Sequence, residues 1–337
     1  MDLTKGLAML AIVAGHLGSD VVTRFVFTFH VPIFFLISGY FYKYRNGIVQ
    51  DRAKGLFKPY VITGIIMVAV AALKSSLKVV LRGNSLETVI DAVIDGGGAL
   101  LYGSGSRNDL LDLTIQPIGA IWFLPALLWS ILLLTLFIKI AKAIKVREEI
   151  CILVCSVVMF AVGYLSAKET WLPLSIQSGA CGVLFLSIGY IYKLHKYDVM
   201  QKIRCVLTAV LVTVWIAAIY RSYININMSL GRCYFPDLVL NVVGAIGGSI
   251  AVAFIAKGID KKEGKINQFI NFWGTNSLLV LCIHNVERTF LPYDKLKGFI
   301  SAPFLCHSTM FTFEAMLITC ILVVFKKMQG RRASRSA

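Results

Sequence analysis

The sequence predicts an all-α polytopic integral membrane protein of about ten transmembrane helices, and three observations carry that prediction. Of its 337 residues, 57% are hydrophobic and only 15% are charged, too little charge to cover the outside of a water-soluble fold of this length. Apolar runs recur from end to end with no long polar stretch between them, so a single transmembrane domain, residues 1–337, is expected. The Lys and Arg residues fall in the short segments between those runs, as they do when basic residues fix topology.

A span needs about 20 mainly apolar residues to cross about 30 Å of hydrocarbon. By that rule the expected spans are residues 4–20, 25–42, 56–73, 118–138, 150–166, 178–192, 204–221, 238–256, 268–286 and 303–325. The first is read as a retained helix rather than a signal peptide, because Asp2 precedes it, His16 lies within it and a second apolar segment follows at once. In the second, FHVPIFFLISGY, Pro32 cannot donate a backbone hydrogen bond, so a kink with an exposed polar backbone spot is expected beside His30. The ninth holds Asn271, Gly274, Thr275 and Asn276, which predict an interruption or close packing against protein. Residues 74–117 form the longest connection, on the outer side. There ETVIDAVID reads as a short amphipathic helix, a Gly-rich GGGALLYGSGS follows, and Asp109 and Asp112 precede the next span. The basic tail, residues 326–337 with RRASRS, reads as a cytoplasmic segment near anionic lipid.

A net charge of +16 in a soluble chain would point to nucleic acid. Here about two thirds of the 34 Lys and Arg residues lie on the side that holds Lys5, Arg52, Lys58, Lys142, Lys196, Lys262 and the tail, although the other side has the longest loop. The charge therefore reports topology in a plasma membrane with both termini cytoplasmic, with membrane lipids as partners and no nucleic acid. The eight cysteines contain no CxxC pair and sit mostly in or beside apolar runs. They read as small buried hydrophobes, and no metal is expected.

Ionisable groups within spans are costly and therefore mark function. They are His16, His30, His284 and Glu314, all in the middle or outer half by this topology. Lys5 and His16 are eleven positions apart, about 16.5 Å of helical rise and about 20° past three full turns, so they share a face. A cation at the mouth with an imidazole deep beneath it suits a coenzyme A thioester, whose phosphates stay near Lys5 while the acyl end reaches His16. A buried imidazole stays neutral and can accept a hydroxyl proton. Glu314 needs a partner at mid-depth, and a His on a neighbouring helix fills that need as the base's orienting carboxylate. His307 is expected at the outer end of the same helix, and His195 in a cytoplasmic loop.

These residues lie in segments that resemble acyltransferase family 3, the membrane-bound acyltransferases, and within it the fucose 4-O-acetylase-like branch. The segments are DLTKGLAMLAIVAGH with its K-x10-H spacing, FHVPIFFLISGYFY, RAKGLFKPY, WFLPALL from Trp122, and GTNSLLVLCIHN with His284. The resemblance implies ten helices, acetyl-CoA as donor substrate and O-acetylation of a sugar in an exopolysaccharide or related envelope glycan. It also implies that Lys5 and His16 form the functional pair. On this reading His16, Glu314 and His30 are catalytic, and Lys5, Arg52 and Lys58 meet the coenzyme. His284, Asn276, Ser38 and Trp122 meet the carbohydrate acceptor, and Asn276 or Ser277 supplies the oxyanion donor. A second copy of the chain or polysaccharide-synthesis machinery are the candidate protein partners. Two rivals share the helical pattern: a transporter or flippase for a glycan or lipid-linked precursor, and a non-catalytic scaffold of polysaccharide synthesis.

Overall fold

The computed structural model describes residues 1–110, 113–195, 201–224, 227–261, 264–291 and 302–333. Asp112, Lys196, Lys262 and the last four residues of the tail lie outside them. The structure is 83% helical, which gives the all-α class directly.

Each expected span has a helical counterpart, in two kinds. Among the described residues, seven helices are long and apolar enough to cross a membrane. They are α4 (Ile48–Arg82), α6 (Phe123–Ile144, preceded by a 3-10 turn at Gly119–Trp122), α7 (Glu148–Glu169), α8 (Ile176–His195), α9 (Gln201–Ile224), α10 (Leu238–Asp260) and α13 (Pro303–Ala333). The other three spans are broken or short. The first is α1 (Asp2–Gly15), 14 residues; the second is split into α2 (Asp20–Val26) and α3 (Pro32–Tyr40); the ninth is split into α11 (Lys265–Thr275) and α12 (Ser277–Phe290).

Local chemistry accounts for the breaks. The sequence predicts a kink at Pro32; instead the helix stops at Val26 and a new one starts with Pro32 at its first turn. At that position the missing N–H is one no helix would use. The ninth span divides at Asn276, where φ −110° and ψ 20° end α11, inside the Asn/Gly/Thr cluster.

In residues 74–117, α4 continues to Arg82, α5 (Glu87–Tyr102) folds back on it, and a small hairpin pairs β1 (Asn108–Leu110) with β2 (Leu113–Ile115). The amphipathic helix is longer than its sequence pattern: Gly96, Gly97 and Gly98 lie inside α5 rather than after it. Packing against α4 offsets their low helix propensity of about 1 kcal/mol each, and a Cβ on Gly96 would lie 3.0 Å from Val68.

Close helix crossings set the frame. A Cβ on Gly274 of α11 would lie 1.7 Å from the Asp2 carbonyl oxygen of α1, and one on Gly39 of α3 would lie 1.8 Å from the Leu186 carbonyl of α8. Small residues at such crossings let backbones meet where no hydrophobic force drives helices together. Two apolar clusters result: Phe35, Leu134 and Phe185 anchor α3, α6 and α8, while Met9, Trp273 and Ile318 anchor α1, α11 and α13. Trp122 and Phe123 pack against both.

Candidate active site

Between the two clusters lies a cavity of about 810 Å³, inside the range of roughly 300–1,000 Å³ typical of small-ligand sites. Its wall combines residues of both clusters, Met9 and Ile12 from one and Leu127 and Leu230 from the other. Lys5, Arg232, Arg288 and Thr289 all line it; Lys5 lies in the first turn of α1, and Arg288 reaches the His16 carbonyl at the other end of that helix. Among the described residues, no Asp or Glu lines it.

The C-terminus of α1 is the centre of this arrangement. A helix that stops within a membrane leaves carbonyls that hydrocarbon cannot satisfy, and each one here has a donor. The Ile12 carbonyl accepts from His16 Nδ1 at 2.7 Å, that of Val13 from the His16 amide at 3.2 Å, and that of Ala14 from the Leu17 amide at 3.4 Å. Thr23 Oγ1 donates to the Gly15 carbonyl at 2.8 Å, and Arg288 donates to the His16 carbonyl. A cation at that helix end also opposes its partial negative charge. Gly18, at φ +78°, turns the chain into α2, a backbone conformation that glycine adopts at no steric cost.

The same bonds fix the chemistry of two histidines. A carbonyl only accepts, so the bond to Ile12 places the proton on His16 Nδ1 and leaves the Nε2 lone pair free. His30 repeats the pattern, with Nδ1 2.9 Å from the Val26 carbonyl. Both rings line the cavity, and their centroids are 6.3 Å apart. Phe27 packs its ring 4.4 Å from that of His30.

His284 stands behind His16, with ring centroids 5.4 Å apart, and is fully buried. It does not line the cavity. Its Nδ1 bonds Glu314 Oε1 of α13 and lies 3.6 Å from Glu287 Oε1. Unless both carboxyls are protonated, this cluster carries no net positive charge. With Glu314 ionised and His284 neutral the cluster is anionic, and in that state it favours positive charge developing on His16, against the opposing charge of Arg288 at the His16 carbonyl. Donor atoms of His284, Glu287 and Glu314 lie within 4.8 Å of one another, the spacing of a metal-ligand set. The direct His284–Glu314 hydrogen bond, however, leaves no room for a cation between those two atoms.

The structure thus brings Lys5, His16, His30, Ser38 and Trp122 to one cavity and sets His284 and Glu314 one layer behind. Glu314, expected to pair with a His on a neighbouring helix, pairs with His284 of α12. Arg52 and Lys58 are exposed on α4, whose Leu56 does line the cavity. Asn276 lies off the cavity with its amide bonded to the Phe272 carbonyl at 2.8 Å, while the neighbouring Ser277 lines it. Trp122 is wedged between backbones: a Cβ on Gly105 or Gly231 would lie 2.7 or 2.8 Å from its indole.

Sequence reasoning did not single out Glu287, Asn285, Arg288 or Arg232. Glu287 had a signal, since it is three residues from His284 and so shares its helical face. Asn285 ties α12 to the start of α6, accepting from the Ala120 amide at 2.6 Å and donating to the Ile118 carbonyl at 3.0 Å. Arg232 lies in a 3-10 turn at Leu230–Arg232, and only the fold brings it to the cavity.

No curated protein and no solved structure matches this chain. A family model described as an acyltransferase domain, that of acyltransferase family 3, matches residues 1–325. The chain belongs to acyltransferase family 3 and is a membrane acyltransferase.

Proposed function

We propose that this acyltransferase is an O-acetyltransferase of the fucose 4-O-acetylase-like branch, moving an acetyl group from cytoplasmic acetyl-CoA to a sugar hydroxyl of an envelope or exopolysaccharide glycan. The observation that carries this reading is His16: a cavity-lining imidazole whose Nδ1–H is tied to its own helix, so that in the neutral ring Nε2 carries the lone pair. Lys5, about 16.5 Å away along α1, meets the coenzyme phosphates from the cytoplasmic face of the plasma membrane. Arg52 and Lys58 meet those parts of the coenzyme that remain outside the cavity.

In this mechanism the acceptor hydroxyl gives its proton to His16 Nε2 as its oxygen forms a bond to the thioester carbonyl carbon. The carbonyl electrons move onto oxygen, and the Ser277 hydroxyl, which lines the cavity from the ninth span, donates to that oxyanion. Collapse breaks the carbon–sulfur bond, and the departing thiolate takes the proton from Nε2. The product is an acetylated sugar and free coenzyme A, with His16 restored. His284 and Glu314 act through His16, opposing the positive charge it carries between the two transfers. His30 and Ser38 position the acceptor, and no metal takes part.

The test is purified protein in lipid nanodiscs given labelled acetyl-CoA. Label should pass to a saccharide acceptor, and His16→Ala should cut the rate roughly 10²–10⁴-fold, the usual worth of a general base. A protein that moves a glycan across vesicles but consumes no thioester would be a carrier, and the acetyltransferase reading would fail.

A further inference from the structure

Lys5 is paired with Asp2 at 2.9 Å, whereas the two arginines that line the cavity have no acidic partner among the described residues. Arg288 reaches the His16 carbonyl at the far end of α1 from Lys5, and Arg232 also lines the cavity. A donor with its phosphates at Lys5 and its acetyl group at His16 already occupies the length between those two residues. Its phosphates therefore cannot be what the arginines meet.

Nor do the arginines pair within the protein. Among the described residues neither guanidinium contacts a carboxylate, and no acidic side chain lines the cavity. Arg221 is the contrast, fixed by Asp237 through bonds of 3.2 and 3.1 Å. Arg288 makes one bond, to the His16 carbonyl, which leaves most of its five donors unused and anchors it on the backbone of the base itself. A guanidinium fork matches carboxylate or phosphate oxygens two at a time. Both arginines are exposed and line the same cavity, so their solvated guanidinium groups are open to an incoming anion. Asn227 adds a buried side-chain oxygen without a partner among the described residues in the same cavity, an acceptor suited to a sugar hydroxyl.

We propose that Arg232 and Arg288 form an anion subsite for the acceptor, so that the sugar acetylated by this enzyme carries a carboxylate or phosphate group. The proposal rests on the acyl-transfer reading of the same cavity. The anion docks on the arginines, the neighbouring hydroxyl is brought to His16, and a neutral sugar lacks the tether.

The experiment uses the full chain in nanodiscs with labelled acetyl-CoA and three acceptor sets: neutral methyl glycosides, methyl glycosides of uronic acids, and sugar 1-phosphates. The readout is the ratio of kcat/KM for the anionic over the matched neutral acceptor. Wild type should favour one anionic set about tenfold or more, and which set wins names the anion. Arg232→Gln and Arg288→Gln should each lower that ratio about tenfold, the worth of one charge-assisted bond. Arg288→Lys, which keeps the charge and a donor for the His16 carbonyl, should retain most of the preference. If either Gln variant fails to fold, the other still decides. Turnover that is indifferent to acceptor charge, or a preference unchanged in the Gln variants, overturns the subsite and leaves acyl transfer standing. Absence of thioester turnover with every acceptor in wild type overturns both.

Discussion

The broken spans and the continuous spans treat polar side chains in opposite ways. Within the continuous helices, hydroxyls bond their own backbone one turn back: Ser130 to the Ala126 carbonyl, Thr135 to Ile131, Ser156 to Ile152 and Ser249 to Ala245. Three of them also reach a neighbouring segment, Ser130 at the Gly179 carbonyl, Thr135 at Tyr42 and Ser156 at Ser187, so these groups are occupied within the bundle and offer little to a ligand. In the broken spans the helix stops, side chains from elsewhere close its last carbonyls, and His16 and His30 each keep a free ring nitrogen at the cavity. Interruption is therefore what turns buried polarity into a reactive surface, as at the discontinuous helices of membrane transporters.

The largest effects should follow from the broken spans. His16→Ala is expected to lower thioester turnover roughly 10²–10⁴-fold and, by freeing the Ile12 carbonyl, to cost about 1–3 kcal/mol in stability, whereas Ser156→Ala in a continuous helix should leave turnover within about twofold. Equal losses in the two would erase the contrast. Next comes the frame: Gly39→Val forces a side chain into the Leu186 carbonyl, and overpacking of that kind costs about 1–3 kcal/mol or more. The yield of folded protein from detergent chromatography should fall sharply, and a normal yield would show that α3 and α8 can part without loss.

Glu314→Gln removes charge behind the base and leaves the side-chain shape. A roughly tenfold drop in kcat with KM for acetyl-CoA little changed is expected of a group that acts only as the transition state forms. A change in KM alone would assign Glu314 to binding instead. Thr23→Val deletes the donor to the Gly15 carbonyl, and the loss of one buried hydrogen bond should cost about 1–3 kcal/mol in stability, measured by reversible unfolding in mixed micelles. The smallest effect is that of chelation. Prolonged treatment with a divalent-metal chelator should leave turnover within about twofold, because a direct His284–Glu314 bond has no place for an ion between its atoms. Loss of activity that added zinc or manganese restores would reverse that assignment and make His284, Glu287 and Glu314 ligands.

Some of the site is legible along single helices and some is not. Eleven residues from Lys5 to His16 mean three turns wherever that helix sits, so their common face can be read before any fold is known. The Asn276 break likewise follows from local composition. That α1 ends just before His16 cannot be read, because its last carbonyls are closed by Thr23 from the next helix and by Arg288, far along the chain. The partner of Glu314 is similar: any buried His would answer its need, and only the packing of α12 on α13 selects His284. Residues in runs that look like connectors, Arg232 above all, gain their meaning from where the loop returns.

By itself the sequence determined the membrane as solvent, the order and approximate length of the spans, and which ionisable groups lie within them. Each of these follows from short-range quantities: transfer free energy per residue, helical period and the cost of burying a charge. The tertiary structure alone decided which spans break completely, which nitrogen of His16 stays free, and which charges meet at the cavity. Those outcomes depend on donors and acceptors brought together across the bundle, because in hydrocarbon a helix end or a buried carboxyl persists only when a partner from another segment completes it.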